Sequence, residues 1–269
     1  MQAPPGPPVV VAVIPCHRGR PAGVEALRAQ DHPVDILVLS NGPAGPRAVA
    51  GAVLRRVAWE GHGDTRLRAV RAAELASFVL FLSDDATPAG PGVVSALLAA
   101  AAETGADAVV ARQVPRPGAD PVTCARLAAW TPPGDGRPRP FPQADHVCTL
   151  WRRAALLDAA ASGVPIGEDL VWSHGRRVVL APDAAVIHSH PRGVRGVWAR
   201  EAALHAVRAR VGLPPTVPGP AALLRALPAA ARAALRHGPT EGLCLATEAA
   251  AQWWGARAGA RYAPWQEPR

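Results

Sequence analysis

The sequence predicts an α/β fold with a mostly parallel central sheet and helices on both of its faces. Two observations lead to this: short apolar runs rich in β-branched residues, and helical segments between them. The runs are VVVAVI (9–14), DILVLS (35–40), FVLFLS (78–83) and DAVVAR (107–112). Continuous apolar runs of this length are typical of strands buried on both faces. Strand–helix alternation favours a parallel sheet, because parallel neighbours need a crossover connection.

In chain order, the Pro-rich tail 1–8 is expected to be disordered, and Pro15 is expected to end the first strand. Thr65 is predicted to cap a helix, since threonine accepts backbone hydrogen bonds at this position. The helices of this half are expected at 22–30, 47–55, 66–76 and 92–103.

The second half begins with a segment rich in Pro, Gly and Arg, 113–143, which predicts long loops with one short helix at 123–130. TLWRRAALLDAA (149–160) is predicted to be a helix, and RRVVLAP and AAVIHSH two short strands. Further helices are expected at 193–210, 221–237 and 240–257, after which no element is assigned. We therefore predict a main domain over 9–213 and a small helical C-terminal region over 214–269.

The composition limits the classes of function. The net charge is +8, and every basic residue among the 29 is Arg. This charge fits either an Arg-rich compositional bias or binding to a polyanion, but no nucleic-acid motif accompanies it. No apolar run is long enough to span a membrane. The four Cys are widely spaced, and the N-terminus does not resemble a signal peptide, so we expect a cytoplasmic protein with reduced thiols.

The chain is organised around FLSDDATP, where an apolar strand ends in Asp84 and Asp85. In an open α/β sheet, ligands bind beyond the carboxyl ends of the strands. The pair is therefore either a solvated turn or a holder for a divalent metal ion.

Two further motifs have a structural and a chemical interpretation. Glu168 and Asp169 begin a helix, where the helix dipole favours acidic residues, and one of them could also act as a general base. His188 and His190 follow the last strand, where each is either an ordinary hydrogen-bonded residue or a metal ligand. The sequence has no P-loop, no GxGxxG after the first strand and no GxSxG elbow.

The order of these motifs resembles family 2 glycosyltransferases of the GT-A fold, most closely the bacterial rhamnosyltransferases. Five motifs of that family occur in the same order between about 9 and 200: HG-x-TR at 62–66, DA-x-P at 85–88, RQ-x-P at 112–115, ED-x-x-W at 168–172 and V-x-HSH at 186–190.

The resemblance implies a role for each matching residue. Asp85 and His188 would bind Mg²⁺ or Mn²⁺, and Asp169 would be the catalytic base with Glu168 beside it. The nucleotide-sugar donor would be held by the remaining predicted site residues, Pro15, His17, Asn41, Arg66 and Asp84.

The activity implied is metal-dependent inverting transfer of a sugar from a nucleotide-diphosphate donor, dTDP- or UDP-linked. Rhamnose is the favoured sugar, and the acceptor would be a glycan, a lipid-linked molecule or a small molecule. Three departures from the family pattern concern the donor: His17 replaces an aromatic residue, Ser40 an Asp, and Leu67 an Asn. They motivate the alternative of an inactive glycosyltransferase-like protein that binds a nucleotide or a partner.

The C-terminal helices have two interpretations as well. Trp253 and Trp254 either pack the last helix onto the protein or, with the nearby Arg residues, contact an anionic membrane surface. We expect peripheral membrane contact only as an addition to the transfer activity.

Overall fold

The structure, a computed structural model, consists of two compact units. The first unit is 1–114 with 131–188, and the second is 115–130 with 189–269. The domain boundary predicted from the sequence, at residue 213, does not coincide with a boundary between these units and stays a prediction. The structure describes residues 8–160, 167–190, 194–210, 212–213, 228, 230–232, 234–235 and 238–261. The predicted tail before residue 8, the linker 214–220 and most of the helix 221–237 lie outside the described residues.

The first unit is built on a nine-stranded mixed sheet with the order β3-β2-β1-β4-β8-β6-β9-β5, and β7 pairs with β9. Its strands are β1 (Val10–Arg18), β2 (Val34–Ala44), β3 (Val53–Arg56), β4 (Phe78–Leu82), β5 (Thr87–Pro88), β6 (Ala108–Val114), β7 (Arg139–Pro140), β8 (Cys148–Arg152) and β9 (Val178–Ile187). β1 to β4 are parallel to their neighbours in this group, and β6 is parallel to β9. β8 runs antiparallel between β4 and β6.

The helices of the first unit lie between these strands. They are α1 (Val24–Arg28), α2 (His62–Ala72), α3 (Val93–Thr104), α5 (Arg153–Ala159) and α6 (Glu168–Ser173). Two hydrophobic clusters pack on the sheet, one containing Leu80 and α3, the other containing Phe81 and α2. Successive residues of β4 alternate between these clusters, so all five are buried. This arrangement confirms the predicted α/β class with helices flanking a central sheet.

Helices form the described part of the second unit. They are α4 (Pro121–Trp130), α7 (Val194–Arg210) and α8 (Pro239–Arg261). α7 packs against α8 within this unit. Among the described residues, no helix is both long enough and apolar enough to cross a membrane.

Several sequence predictions of secondary structure are wrong in the first half of the chain. No helix forms over 47–55, because Gly51 has φ +76° and Val53 pairs with Leu37 in a parallel strand instead. β1 continues through Pro15, which is opposite Leu39 of β2. Pairing with β4 ends at Val13, and a strand with one free side tolerates the missing N–H.

Other corrections concern element boundaries. Thr65 does not cap α2, which begins at His62; its hydroxyl donates to the carbonyl of Gly61 inside the first turn. The segment predicted as one helix, 149–160, divides into β8 and α5. The two strands predicted near the end of the first unit form one strand, β9.

Candidate active site

Polar residues gather at one edge of the sheet in the first unit. The parallel strands β1, β2, β4, β6 and β9 end there, as expected from their common direction. β8 runs the opposite way, so its beginning lies at the same edge, and the backbone N–H of Ser83 donates to the carbonyl of Val147 at 3.0 Å. Asp145 and His146 are therefore delivered to the edge at which Asp84 and Asp85 follow β4.

The two acidic residues after β4 lie in a tight turn. The N–H of Ala86 donates to the carbonyl of Ser83 at 3.0 Å, and the carbonyl of Asp84 accepts from Ala22 at 2.7 Å. A Cβ at Gly23 would come within 2.6 Å of the Ala86 carbonyl oxygen, so the absence of a side chain there allows this close approach. The turn thus has a fixed position against the start of α1.

Asp84 lies in a less polar environment than a solvated turn. Burial raises the pKa of its carboxyl, and the adjacent charge of Asp85 raises it further. The thiol of Cys16 is beside it, and burial together with Asp84 raises the pKa of that thiol to about 12. The thiol is therefore protonated, and its Sγ lies 3.4 Å from the carbonyl oxygen of Arg18, which accepts its proton.

Asp85 lies next to His188 because of the strand register. β5 runs antiparallel to the end of β9, and Thr87 is opposite Ile187. The residues just before Thr87 therefore lie beside those just after Ile187. Oδ1 of Asp85 is 3.5 Å from Nε2 of His188, and the His188 side chain is buried.

Gln113 fixes the orientation of the His188 ring. The side-chain Nε2 of Gln113 is 2.7 Å from Oδ2 of Asp145, and since a carboxylate only accepts, the amide nitrogen must face it. The amide oxygen of Gln113 then faces Nδ1 of His188 at 3.0 Å and accepts its proton. In the neutral ring, Nε2 consequently carries the lone pair and points towards Asp85.

This donor set fits a divalent metal ion. A carboxylate oxygen and an imidazole nitrogen are close enough for one ion to contact both. Oxygen and nitrogen donors of this kind suit Mg²⁺ or Mn²⁺. The bond from His188 to Gln113 is the outer contact that metal-binding histidines normally make with their second nitrogen. Asp85 and His188 are the residues that would hold the ion.

Asp169 lies in the first turn of α6. Gly167 precedes this helix with φ +76°, a conformation that favours glycine. The Asp169 side chain is half-buried, and its Oδ1 accepts the N–H of Leu170 at 2.8 Å. Burial and the adjacent Glu168 carboxylate raise the pKa of Asp169 to about 6. This value is suitable for a group that gains and loses a proton near neutral pH.

Glu168 has the opposite titration behaviour. Burial alone would raise its pKa, but the Arg66 guanidinium, 2.8 Å away from Oε1, outweighs burial and, with a hydrogen bond from His146, lowers the pKa to about 2. Both Arg66 and Glu168 are buried. Glu168 is therefore a fixed negative charge, whereas Asp169 titrates. The two acids of one motif have distinct electrostatic environments.

Three buried polar atoms lie at the ends of β1 and β2 without a hydrogen-bond partner in the described part of the chain: His17 Nδ1, Ser40 Oγ and Asn41 Oδ1. An unsatisfied buried polar atom typically costs about 1–3 kcal/mol, so these atoms are suited to a ligand or water. The Trp59 ring packs edge-on against His17 with centroids 5.4 Å apart, and it is 37% exposed. Pro15 is half-buried on the same strand as His17.

Comparisons with known proteins were made on sequence and on structure. The sequence matches neither a known family model nor a curated protein. The structure is similar to a mannosyltransferase, PcManGT from Pyrobaculum calidifontis, solved with GDP-Man and Mn²⁺, at TM-score 0.57 and 18% identity over 92% of this chain and 87% of that chain. It is also similar to TarS 1–349 of S. aureus, solved with UDP-GlcNAc, at TM-score 0.52 and 15% identity over 76% of this chain and 65% of that chain.

The fold is GT-A. At these identities the similarity concerns the fold, and the roles of individual residues stay predictions.

Within this GT-A fold, all nine predicted site residues belong to the first unit. The structure brings Asp85 to His188 and Arg66 to Glu168, and it places Asp84 beside Cys16. Arg66 therefore contacts Glu168, the first of the two acids of α6, in addition to its predicted role in donor binding.

Sequence reasoning missed residues that complete these contacts: Trp59, Asp145, His146 and Trp151, as well as any role for Gln113. Gln113 is part of the RQ-x-P motif, which was the available signal for it. His146 and Trp151 lie in a segment that contains no family motif. From Thr149 onwards, this segment has the sequence pattern of a helix.

Proposed function

We propose that the protein is an inverting glycosyltransferase that uses a nucleotide-diphosphate sugar as donor and Mg²⁺ or Mn²⁺ as cofactor. One observation supports this most directly: the carboxyl edge of the sheet carries both the Asp85–His188 pair and a separate carboxyl, Asp169, with a pKa raised to about 6. A metal-binding pair and an independent base are the two groups that such a transfer requires.

In the proposed reaction, Asp169 removes the proton from the acceptor hydroxyl as this oxygen attacks the anomeric carbon. The bond from that carbon to the donor phosphate oxygen breaks on the opposite face, and the nucleoside diphosphate leaves with the bonding electrons. At pH 7 Asp169 is mainly ionised and can accept the proton. Glu168, held by Arg66 at 2.8 Å, keeps its charge throughout and does not compete for the proton.

The proposed ion would be bound by Asp85 and His188. When bound, it would neutralise charge that develops on the diphosphate leaving group. Gln113 holds the His188 ring, so that its lone pair faces Asp85 before any ion arrives. Preorganised ligands of this kind lower the cost of binding.

The donor base and ribose would occupy the ends of β1 and β2. His17, Ser40 and Asn41 offer unpartnered buried atoms there, and the exposed face of Trp59 supplies an aromatic surface. We propose a dTDP- or UDP-sugar, with rhamnose favoured by the resemblance of the motifs. PcManGT was solved with GDP-Man and TarS with UDP-GlcNAc, so the test includes both of these donors as well.

The test has a binding arm and a turnover arm. Thermal shifts are measured with dTDP-rhamnose, UDP-GlcNAc and GDP-mannose, each with Mn²⁺, with Mg²⁺ and with chelator. We expect stabilisation by one donor, dependent on the metal ion. Asp169→Asn should bind this donor normally and lose turnover by about 10²–10⁴-fold. Asp158→Asn, the same change at an exposed acid of α5, is the control.

Near-normal turnover by Asp169→Asn would contradict the assignment of the base. Donor binding with neither transfer to an acceptor nor hydrolysis by the wild-type protein would favour the alternative, an inactive protein that binds a nucleotide.

Peripheral membrane contact is a separate proposal for the second unit. Trp198 of α7 and Trp254 of α8 are 44% and 65% exposed, and exposed tryptophans are typical of interfacial helices. Arg257 lies over the Trp253 ring at 4.9 Å, which agrees equally with packing of the helix. Sedimentation of the full chain with anionic and neutral liposomes tests the proposal. Trp254→Ala should weaken binding to the anionic liposomes. Equal sedimentation of the wild-type protein and Trp254→Ala with these liposomes would contradict the proposal.

A further inference from the structure

A chain of hydrogen bonds leads from β8 to the acidic pair of α6. The indole nitrogen of Trp151 can only donate, and it lies 3.1 Å from Nε2 of His146. Nε2 must therefore be the unprotonated nitrogen of His146. The proton of a neutral ring is then on Nδ1, which lies 3.3 Å from Oε1 of Glu168 and donates to it. The hydrogen-bond partners thus determine the tautomer of the neutral His146 ring.

The surroundings of His146 hold this arrangement in place. Its ring packs against both Phe81 and Trp172, with centroid distances of 4.5 Å and 5.5 Å. His146, Trp151 and Trp172 are all buried. A ring flip would exchange Nε2 with Cε1 and Nδ1 with Cδ2, so the hydrogen bonds to both Trp151 and Glu168 would be lost.

One oxygen of Glu168 has both an ion pair and a hydrogen bond. Nη1 of Arg66 approaches Oε1 from α2, and Nδ1 of His146 approaches it from the segment before β8. Glu168 is thereby ionised and fixed, and its charge is a cause of the raised pKa of Asp169, second to burial. The charged and titratable groups that face this pair of acids are Arg66, His62, Asp145 and His146.

We propose that Trp151 and His146 are positioning residues: they donate in series to Glu168 and so hold its carboxylate in the position that faces Asp169. The proposal rests on the proposed function only in giving Asp169 the role of base. The hydrogen-bond chain itself can be tested without any sugar donor.

Trp151→Phe is the informative change, since it removes one N–H and keeps an aromatic ring. Nε2 of His146 then loses its donor, so the ring is free to turn away from Glu168. Nitrogen chemical shifts of the neutral His146 ring should show the Nδ1–H tautomer in the wild-type protein and both tautomers in the variant. Because the donor to Glu168 is weakened, the carboxyl carbon of Glu168 should titrate at a higher pH in the variant than in the wild-type protein.

Trp172→Phe is the matched control. Trp172 packs on the same imidazole, but in the described part of the chain its indole nitrogen has no hydrogen-bond partner. This control should leave the His146 tautomer and the titration of Glu168 as in the wild-type protein. In the double variant Trp151→Phe/His146→Asn, the Asn amide can donate to Glu168 from the Nδ1 position. The double variant should therefore regain the wild-type titration of Glu168.

If Trp151→Phe does not fold, His146→Asn and His146→Gln give the same comparison. Asn keeps a donor near the Nδ1 position and should leave the Glu168 titration unchanged. Gln places its amide near the Nε2 position, and the lost donor should raise the pKa of Glu168. Equal titrations of Glu168 in these two variants would overturn the proposal.

Activity provides a separate readout. In Trp151→Phe, kcat should fall while donor affinity stays as in the wild-type protein, because the acid beside Asp169 is less well positioned. The proposal is overturned if Trp151→Phe leaves the His146 tautomer and the Glu168 titration unchanged, or if Trp172→Phe changes them equally. Absence of sugar transfer by the wild-type protein would refute the proposed function, and the spectroscopic comparison would still decide whether the hydrogen-bond chain exists.

Discussion

The amide oxygen of Gln113 accepts the Nδ1 proton of His188 at 3.0 Å, so that Nε2 of the same ring faces Asp85. This relationship depends on Asp145, since its carboxylate accepts from the Gln113 amide nitrogen and so leaves the amide oxygen facing His188. Asp145 is adjacent to His146, the donor to Glu168. The segment before β8 therefore supports both the proposed metal ligands and the acidic pair of α6.

Gln113→Leu should weaken metal binding and keep the fold. Leu has a similar volume but offers no acceptor, so the His188 ring loses the bond that directs Nε2. Loss of such an outer contact typically reduces metal affinity by about 10–100-fold. Calorimetric titration with Mn²⁺ measures this.

The matched control for this change is Gln30→Leu. Gln30 also makes side-chain hydrogen bonds, to Ala26, Gly90 and Val94, but these connect α1 to α3. Gln30→Leu should therefore lower the melting temperature of the protein without changing its affinity for Mn²⁺. Equal Mn²⁺ affinity of Gln113→Leu and the wild-type protein would contradict the orienting role of Gln113.

The pH dependence of transfer should follow Asp169. Its pKa is raised to about 6, and only the ionised form accepts a proton. We expect kcat/KM to be constant above pH 7 and to fall about tenfold per unit well below pH 6. Donor affinity, measured at each pH, separates loss of the base from loss of binding. A kcat/KM that stays constant down to pH 5 would show that Asp169 is not the base.

The strands of the sheet were predictable because burial on both faces requires a continuous apolar run, and such runs are visible locally. β8 was not predictable in this way. Its residues Thr149 to Trp151 continue directly into RRAALLDA, and the helix-forming composition of that stretch dominated the prediction. Only pairing with β4 and β6 makes this segment a strand, and that pairing is a long-range property.

The same limit applies to the candidate site. Asp85, His188, Glu168 and Asp169 were visible as acids and histidines at the ends of elements. The contacts of Gln113 and His146 were not, because each depends on how a strand pairs with a partner that is distant in sequence: β6 with β9 for Gln113, and β8 with β4 for His146. A sequence motif therefore indicated the groups suited to chemistry, whereas the hydrogen bonds that orient them required the tertiary structure.

Asp169→Asn should stabilise the protein at neutral pH. The native pKa is about 6 and the unfolded value about 3.9, so between these values the native state binds more protons and stability falls as pH rises. Asn cannot ionise and avoids this loss. We expect a gain of about 1–3 kcal/mol at pH 8 that disappears below about pH 4.

Thermal denaturation of the wild-type protein and Asp169→Asn across pH 4–8 measures this difference. Asp158→Asn, at an exposed acid paired with Arg176, should show no comparable gain. A lower melting temperature for Asp169→Asn than for the wild-type protein at pH 8 would contradict the raised pKa of this carboxyl.

Gly23→Ala should disturb the acidic turn through the backbone. The added Cβ would lie 2.6 Å from the Ala86 carbonyl oxygen and 2.6 Å from Cδ2 of Leu82, so the turn that carries Asp85 must shift. Overpacking of this kind typically costs about 1–3 kcal/mol. Because Asp85 moves relative to His188, Mn²⁺ affinity should fall together with the melting temperature. Gly90→Ala is the control, since a Cβ there meets nothing within 4 Å. Unchanged Mn²⁺ affinity in Gly23→Ala would show that the ion does not depend on the position of this turn.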